Sequence, residues 1–228
     1  MILAIGLNLI TGYTGQLSLG HATFMGLGAY AATLVTIHLG VPFIAALIIG
    51  AVVAAFFGFV IGVPTLRLKG DYLAIATLGF GEITKSILLG STITGGPMGL
   101  RGIPKATNIY IVLIALILVV FSTNRIMNSR IGKSFIAIRE DELAAEAMGI
   151  NTTKYKILAF TIGAFYAGLA GGLYAFLLRY INPTNFGFMK SIEILCMVVL
   201  GGMGNTYGAM LGAFILTLLP ELLRSVSP

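Results

Sequence analysis

The first 66 residues of this chain contain no Asp, Glu, Lys or Arg, and the first charged side chain is Arg67. A soluble domain carries about 25% charged residues, so an uncharged stretch of this length cannot supply a water-facing surface. The same composition continues, because 57% of the 228 residues are hydrophobic and only 10% are charged. A soluble or disordered chain is therefore excluded. The sequence predicts an all-α, polytopic transmembrane helical bundle with broken or re-entrant helices, forming a single domain over residues 1–228.

Polar residues and glycines interrupt the apolar sequence in two places. A helix of about 37 residues would be nearly twice as long as a bilayer core is thick, so residues 1–37 are expected to form two helical pieces. The break is predicted near residues 11–20, in a region that contains Asn8, Thr11, Gly12, Tyr13, Thr14, Gly15, Gln16, Ser18, Gly20 and His21. Residues 191–200 look too short to cross the membrane. A second broken or re-entrant element is predicted where they meet Gly201, Gly202, Met203, Gly204 and Asn205, before residues 206–222.

Four further stretches are predicted to span the membrane, at residues 42–66, 71–90, 109–124 and 157–178. Small residues recur every fourth position in two of them, which predicts faces that another helix backbone approaches closely. These residues are Gly50, Ala54, Gly58 and Gly62, and Ala164, Gly168 and Gly172. Glu82 lies near the middle of residues 71–90. Because a charge is costly in lipid, Glu82 is expected to face the protein interior, either in the pathway or in a buried structural pair.

Residues 125–156 depart from the apolar pattern and are predicted to form a cytoplasmic loop. They hold six of the chain's 14 Lys and Arg residues, and such clusters collect on the cytoplasmic side of membrane proteins. Arg67 and Lys69, which are expected to anchor the end of span 42–66, are two crossings away, so both basic clusters are predicted on one side. The net charge of +6 is explained in this way, and no nucleic-acid partner is predicted.

Within that loop, residues 139–151 are expected to form a short helix that does not span the membrane. Acidic residues at its start suit the positive end of a helix dipole, and Gly149 suits the position just after a helix. Glu142 and Glu146 would form a polar side, and an apolar side would carry Leu143, Ala144, Ala147 and Met148. Two interpretations stay open: a solvated connecting helix, or a helix that docks to a cytoplasmic partner.

Several short motifs suggest chemistry that their surroundings do not support. Ile131-Gly132-Lys133-Ser134 resembles the end of a phosphate-binding loop, but Met127 stands where that loop needs glycine, so ATP binding by this chain is rejected. Residues 77–81 resemble a potassium-channel filter and residues 26–28 resemble part of a dinucleotide fingerprint. The first is weak evidence in a chain with 30 Gly, and a channel subunit of that sort would not need this many further spans. The second lies in a membrane span without a βαβ context and is interpreted as a packing face. The isolated residues His21, His38 and Cys196 predict no metal site, no intrachain disulfide and no catalytic residue.

Four segments together resemble the branched-chain amino acid ABC transporter permeases of the LivM type. The most specific is residues 139–151, followed by Lys154-Tyr155-Lys156 and Ala159-Phe160. The others are residues 12–21, 70–82 and 199–205. The likeness covers almost the whole chain, although members of that family usually carry additional N-terminal membrane sequence.

The resemblance implies a permease subunit of an importer for leucine, isoleucine and valine in a bacterial or archaeal cell (inner) membrane. Its partners would be membrane lipid, a LivH-like second permease, two cytoplasmic ATPase subunits and a periplasmic or extracellular amino-acid-binding protein. ATP would be used by the ATPase subunits, and this chain would bind no cofactor. The ATPase-coupling helix would carry Arg139, Glu140, Asp141, Glu142, Ala144, Ala145, Glu146 and Gly149. Candidate pathway residues at the broken helices are Thr14, Gly15, Gln16, Ser18, Glu82, Gly201, Gly202, Gly204 and Asn205.

Two alternatives remain open from the sequence. Related permeases that share these motifs import urea or short-chain amides. A different class would be an ion channel or an ATP-independent carrier. Such a carrier would have no use for a helix that contacts an ATPase, and its uptake would follow an ion gradient rather than ATP.

Overall fold

The computed structural model describes residues 1–65 and 70–226, and this part of the chain is almost entirely helical. Its α-helices are α1 Ile2–Leu7, α2 His21–Leu39, α3 Phe43–Thr65, α4 Asp71–Gly90, α5 Ile109–Met127, α6 Arg130–Glu140, α7 Glu142–Ala147, α8 Thr152–Leu178, α9 Phe188–Gly201 and α10 Thr206–Val226. A π-helical segment, Asn8–Gly12, continues α1, and 3₁₀ turns cover Gly96–Met98 and Pro183–Phe186. The predicted all-α class is confirmed.

Six helical stretches of the described residues are long and apolar enough to cross a bilayer. They are His21–Leu39, Phe43–Pro64, Asp71–Gly90, Ile109–Met127, Thr152–Leu178 and Pro183–Gly201. The second to the fifth correspond to the four predicted spans, although residue 66 of span 42–66 lies outside the described residues. His21–Leu39 is the second helical piece predicted within residues 1–37. The sixth is longer than the predicted segment 191–200, because α9 already begins at Phe188 and a 3₁₀ turn precedes it. The sequence therefore underestimated this element, while the polytopic architecture is confirmed.

Helices α2, α3 and α8 form the tightly packed centre of the bundle, and glycines make their close approach possible. A Cβ added at Gly28 of α2 would lie 2.3 Å from the Cα of Gly168 in α8. One added at Gly168 would lie 2.4 Å from the Cβ of Ala54 in α3. Lipid offers no hydrophobic driving force between helices, so such backbone contact is a main source of attraction. The predicted small-residue faces of α3 and α8 are confirmed.

The predicted loop at residues 125–156 is mostly helical, so that part of the prediction is wrong. Helix α5 continues to Met127, α6 and α7 follow, and α8 begins at Thr152. Helix α6 is amphipathic and buries Gly132, Phe135 and Ile138, with Phe135 fully inaccessible. The sequence did not predict this helix, because its charged residues are typical of a solvated loop. Arg67 and Lys69 lie outside the described residues, and Gly70 lies beside the end of α6 in a shared cavity.

Helices α9 and α10 form a tight hairpin at the second predicted break. Gly202 and Gly204 have φ angles of 90° and 84°, which residues with a Cβ rarely adopt, so the chain can reverse between the helices. Behind the turn the two backbones touch, since a Cβ on Gly201 would lie 2.0 Å from the Gly208 carbonyl oxygen. The predicted second break is confirmed as this helical hairpin.

Candidate functional site

The first break lies between Gly15 and Gly20, within the predicted range. Gly15 has a φ of 70°, which ends the helical course of the chain, and regular helix resumes only at His21. The side chains here form hydrogen bonds within residues 10–16. The Thr14 hydroxyl donates to the Ile10 carbonyl (2.6 Å), and Gln16 Nε2 donates to Thr14 Oγ1 (3.0 Å). The break is therefore an ordered turn in which the side chains of Thr14, Gln16 and Ser18 are buried.

Helix α4 supports the far side of this break. The Leu19 N–H donates to Thr77 Oγ1 (3.0 Å), and a Cβ at Gly20 would lie 2.5 Å from the Thr77 carbonyl oxygen. Residues 77–81 are thus part of a regular helix and serve as a packing surface.

Buried polar atoms without a hydrogen-bond partner gather around the first break. In the described part of the chain they include Asn8 Nδ2, Thr11 Oγ1, Gln16 Oε1 and Ser18 Oγ. Most buried polar groups in proteins are hydrogen-bonded, and each unsatisfied one costs about 1–3 kcal/mol. Their concentration here marks the region as polar inside an otherwise apolar bundle. Asn8 and Thr11 lie in the π-helical segment, a feature frequent at functional sites.

The two breaks meet, and the side chains of Asn8, Tyr13, Thr206 and Arg139 make the contacts there. Asn8 Oδ1 accepts from the Gly204 N–H (2.9 Å), and the hydroxyls of Tyr13 and Thr206 lie 2.9 Å apart. Arg139 Nη1, from the end of α6, donates to the Gly12 carbonyl oxygen (2.8 Å). We call this set of contacts the junction; its residues are Asn8, Gly12, Tyr13, Arg139, Gly204 and Thr206.

The predicted coupling helix is shorter than expected, and its first two residues belong to the preceding helix. Arg139 and Glu140 end α6, and the backbone of Asp141 is extended, so a new helix starts at Glu142. Asp141 Oδ1 accepts from the N–H groups of Leu143 (2.9 Å) and Ala144 (3.0 Å), an N-cap that satisfies two free donors. A single helix over residues 139–149 is therefore wrong, because this cap interrupts it.

Gly149 ends α7 in the predicted way. Its φ is 81°, and its N–H donates to the Glu146 carbonyl (2.9 Å) while the Ile150 N–H donates to the Ala145 carbonyl (3.0 Å). This pair of hydrogen bonds is the Schellman motif, which favours glycine at the left-handed position. The prediction of Gly149 just after the helix is confirmed.

Polar side chains fix α7 to the start of α8 and leave its apolar side uncovered. Glu142 pairs with Lys156, and Glu146 Oε1 accepts from the Thr152 hydroxyl (2.6 Å). The opposite side, here called the α7 outer face, is formed by exposed Leu143, Ala144, Ala147 and Met148. Leu143 is 70% exposed and Met148 is 83% exposed, the largest apolar groups of this face. On the acidic side, which the sequence predicted to be polar, Glu142 and Glu146 both bind side chains of α8.

A polar cavity of about 250 Å³ lies between α7 and the first break. The sequence-predicted residues that line it are Thr14, Gly15, Gln16, Arg139, Glu140, Asp141 and Glu142, together with Lys156. Gly15 lies against Arg139, with a hypothetical Cβ 3.6 Å from the Arg139 Cγ. The structure thus brings the predicted coupling residues and the first predicted break into one region. Ala145, on the inner side of α7, and Ser18, within the first break, are both buried.

Glu82 is the predicted site residue that stands apart. Its side chain is 47% exposed on α4 and pairs with Lys85 at 3.4 Å, so it does not face the interior of this chain. The expectation failed because the free-energy cost of placing a charge in lipid shows only that Glu82 avoids lipid. That cost does not show whether protein or water surrounds the side chain. Gly201, Gly202, Gly204 and Asn205 all lie at the turn of the α9–α10 hairpin.

Sequence reasoning missed Tyr13 and Thr206 as residues that join the breaks. They are 193 residues apart, and no local pattern relates them. Arg139 was assigned to the coupling segment but not to the break it contacts. The polar residues within each break predicted where the breaks lie. They did not predict that the two breaks contact each other.

Comparison with known proteins identifies the family of the chain. The family described as "Branched-chain amino acid transport system / permease component" matches residues 1–228. The chain is 39% identical to the high-affinity branched-chain amino acid transport system permease protein LivM of Escherichia coli strain K12, an alignment that covers 98% of this chain and 61% of LivM. It is 31% identical to the probable LivM protein of Methanocaldococcus jannaschii, over 78% of this chain and 56% of that protein.

A second type of relative matches more distantly. The permease protein LivH of Escherichia coli strain K12 is 27% identical over 94% of this chain and 78% of LivH. No solved structure matches the chain. The chain spans about 61% of the length of the bacterial LivM proteins it matches. With six apolar helices and a family match over its whole length, this chain is a multi-pass cell-membrane protein that belongs to the branched-chain amino acid transport system permease family.

Proposed function

We propose that this chain is a membrane-spanning permease subunit of an ABC importer for leucine, isoleucine and valine, driven by separate ATPase subunits. The observation that carries the proposal is the exposed α7 outer face, which begins at Leu143, shortly after the junction residue Arg139 in the chain. The names of the LivM and LivH relatives support the substrate class. The chain itself would bind no cofactor, and ATP would be hydrolysed by its partners.

In this proposal α7 is the contact point for an ATPase subunit. Two polar anchors, Glu142 to Lys156 and Glu146 to Thr152, attach α7 to α8, so a push on the outer face moves the start of α8. Arg139, just before the α7 cap, transmits the same displacement to the Gly12 carbonyl. The Asn8 contact then carries it to Gly204 in the second break. Both breaks would respond to one displacement at the membrane surface.

The breaks are the proposed binding region for the substrate. Broken helices present backbone dipoles, which suit the ammonium and carboxylate of an amino acid. The unpartnered polar atoms of Gln16 and Ser18 lie in the same region, whereas the surroundings are apolar and suit an aliphatic side chain. The chain would work with a LivH-like second permease, two cytoplasmic ATPase subunits and a periplasmic or extracellular binding protein.

The segment with α6 and α7 is proposed to be cytoplasmic, as its basic residues favour. Ile136 of α6 is 44% exposed and offers a labelling position. In a Cys196→Ser background, a membrane-impermeant thiol reagent should label Ile136→Cys only from the cytoplasmic side. Labelling from outside the cell would contradict the orientation.

Uptake by the complete complex in proteoliposomes tests the function. We expect leucine uptake that requires ATP and persists when ion gradients are dissipated by ionophores. Unlabelled isoleucine and valine should compete, whereas urea and acetamide should not. Competition by urea or acetamide alone would favour the alternative substrate class. Uptake that follows an ion gradient without ATP would contradict the proposal and favour an independent carrier.

A further inference from the structure

Two loops at the same end of the bundle carry basic residues and no acidic ones. Residues 91–108 and 179–187, here called the outer loops, contain Arg101, Lys105 and Arg179, and neither loop contains Asp or Glu. One crossing by α5 or α8 separates them from α6 and α7, so in the orientation of the proposed function they lie on the outer side of the membrane. Lys and Arg are usually sparse in the outer loops of membrane proteins. Their presence here therefore requires a specific explanation.

Hydrogen bonds join the outer loops to each other. Leu100 and Ile181 exchange both N–H···O bonds (2.8 and 3.2 Å), as in an antiparallel strand pair. The Tyr180 hydroxyl donates to the Met98 carbonyl (3.1 Å) and accepts from Asn182 Nδ2 (3.3 Å), so two contacts fix the tyrosine ring. The outer loops therefore form one ordered unit.

An open cavity of about 630 Å³ lies in this unit, and its lining combines basic, aromatic and apolar side chains. Arg101, Arg179 and Tyr180 line it together with Ile103 and Leu178. The Arg101 guanidinium lies over the Tyr180 ring, 5.7 Å from its centroid, a cation–π contact that orients the charge. Leu178 is 51% exposed and is the last residue of a candidate membrane span. The cavity is therefore at the level where α8 leaves the bilayer.

Arg179 occupies a backbone position that favours glycine. It follows α8 with a φ of 63°, and no other non-glycine residue in the described part of the chain has a positive φ. Residues with a Cβ rarely adopt this conformation, and glycine is the usual residue just after a helix. Because glycine would end α8 with less strain, the turn itself does not explain an arginine here. The charged side chain therefore has a role beyond the turn.

We propose that this cavity binds the headgroup of an anionic phospholipid, with the phosphate between Arg101 and Arg179 and an acyl chain beside Leu178. Guanidinium groups bind phosphate through paired N–H donors, and basic pockets between membrane helices bind anionic headgroups. The apolar part of the lining favours an amphiphile over a soluble anion, because the acyl chains of a lipid lie in the bilayer at the same level. Only the assignment of this surface to the outer side rests on the proposed function.

Lipid titration of the purified chain, with the subunits that co-purify with it, tests the site. Phosphatidylglycerol is the anionic probe, phosphatidylcholine is the zwitterionic control, and native mass spectrometry in detergent counts bound lipid. Arg101→Gln and Arg179→Gly should each weaken phosphatidylglycerol binding about tenfold, because each removes a charged donor to the phosphate. The matched controls are Arg130→Gln and Lys133→Gln, exposed bases of α6, which should leave binding unchanged. Equal binding of the two lipids, or an equal loss in the controls, would overturn the proposal.

Melting temperatures separate a lipid-binding role of Arg179 from a structural one. Without added phosphatidylglycerol, Arg179→Gly should melt no lower than the unmodified chain, because glycine relieves the strain at φ 63°. Phosphatidylglycerol should raise the melting temperature of the unmodified chain and have little effect on the variant. A lower melting temperature of the variant with undiminished stabilisation by the lipid would overturn the proposal.

Two competitors identify the occupant. Glycerol 3-phosphate has the anionic group without acyl chains and should not displace the lipid; complete displacement would overturn the assignment to a lipid. Loss of an acidic partner protein from the two arginine variants, with lipid binding unchanged, would assign the surface to that protein and also overturn the proposal. No readout uses substrate or ATP, so the result is distinguishable from failure of the uptake assay.

Discussion

Replacing Arg139 with methionine should uncouple ATP hydrolysis from uptake. The change keeps an aliphatic stem beside Gly15 and removes the donor to the Gly12 carbonyl, a contact of 2.8 Å. A hydrogen bond from an ionised donor contributes about 1.5–3 kcal/mol, and we take about 1–1.5 kcal/mol because Arg139 is partly exposed. That free energy corresponds to about a five- to tenfold change in the equilibrium that links α6 to the first break.

The assay measures leucine uptake and ATP hydrolysis in the same proteoliposomes. We expect the uptake per ATP hydrolysed to fall about five- to tenfold in Arg139→Met, with hydrolysis largely retained, because the ATPase contact on α7 is untouched. The matched control is Lys133→Met, an exposed cation on the same helix that takes no part in the junction. An unchanged ratio in Arg139→Met, or an equal loss in Lys133→Met, would refute the junction as the route of coupling.

Three further outcomes follow from the packing and caps. Gly171→Ala should lower the melting temperature of the purified chain in detergent by several degrees. The new Cβ would lie 1.9 Å from the Met25 carbonyl oxygen, and overpacking of this kind costs about 1–3 kcal/mol. Gly90→Ala should change the melting temperature little, because its Cβ would have no neighbour within 4 Å. Gly149→Val should reduce leucine uptake per ATP hydrolysed, because a β-branched residue is strained at φ 81°. Gly149→Asn should leave that ratio nearly unchanged, since Asn tolerates this backbone conformation. The same ratio in both variants would contradict this prediction. Glu142→Arg should also reduce uptake per ATP, because it replaces the partner of Lys156 with a like charge, and normal coupled uptake would argue against the anchor.

The sequence predicted those features that local physical chemistry determines. Apolar runs of about 20 residues predicted four spans, small residues every four positions predicted the faces of α3 and α8, and Gly149 predicted the end of α7. Each of these signals depends on residues within one or two helical turns. The same reasoning located both breaks, since polar and glycine-rich runs stand out within apolar sequence.

What the sequence did not reveal depends on distant contacts. The Asn8 contact with Gly204 joins residues 196 positions apart, and the Arg139 contact with Gly12 joins residues 127 apart. Helix α6 was missed because its exposed charges concealed a buried stripe that includes Phe135. Glu82 was predicted to face the interior because a charge avoids lipid, but that rule does not determine which residues surround the charge, and the side chain is 47% exposed.

The central claim is that an ATPase subunit engages the α7 outer face, and binding of that subunit tests it most directly. The measurement is the amount of ATPase that co-purifies with the permease complex when Leu143 and Met148 are both changed to Asp. These side chains are 70% and 83% exposed, so the fold should tolerate the change. The account predicts that most of the ATPase is lost, with the double variant still folded in the membrane. Full retention of the ATPase by the double variant would contradict it.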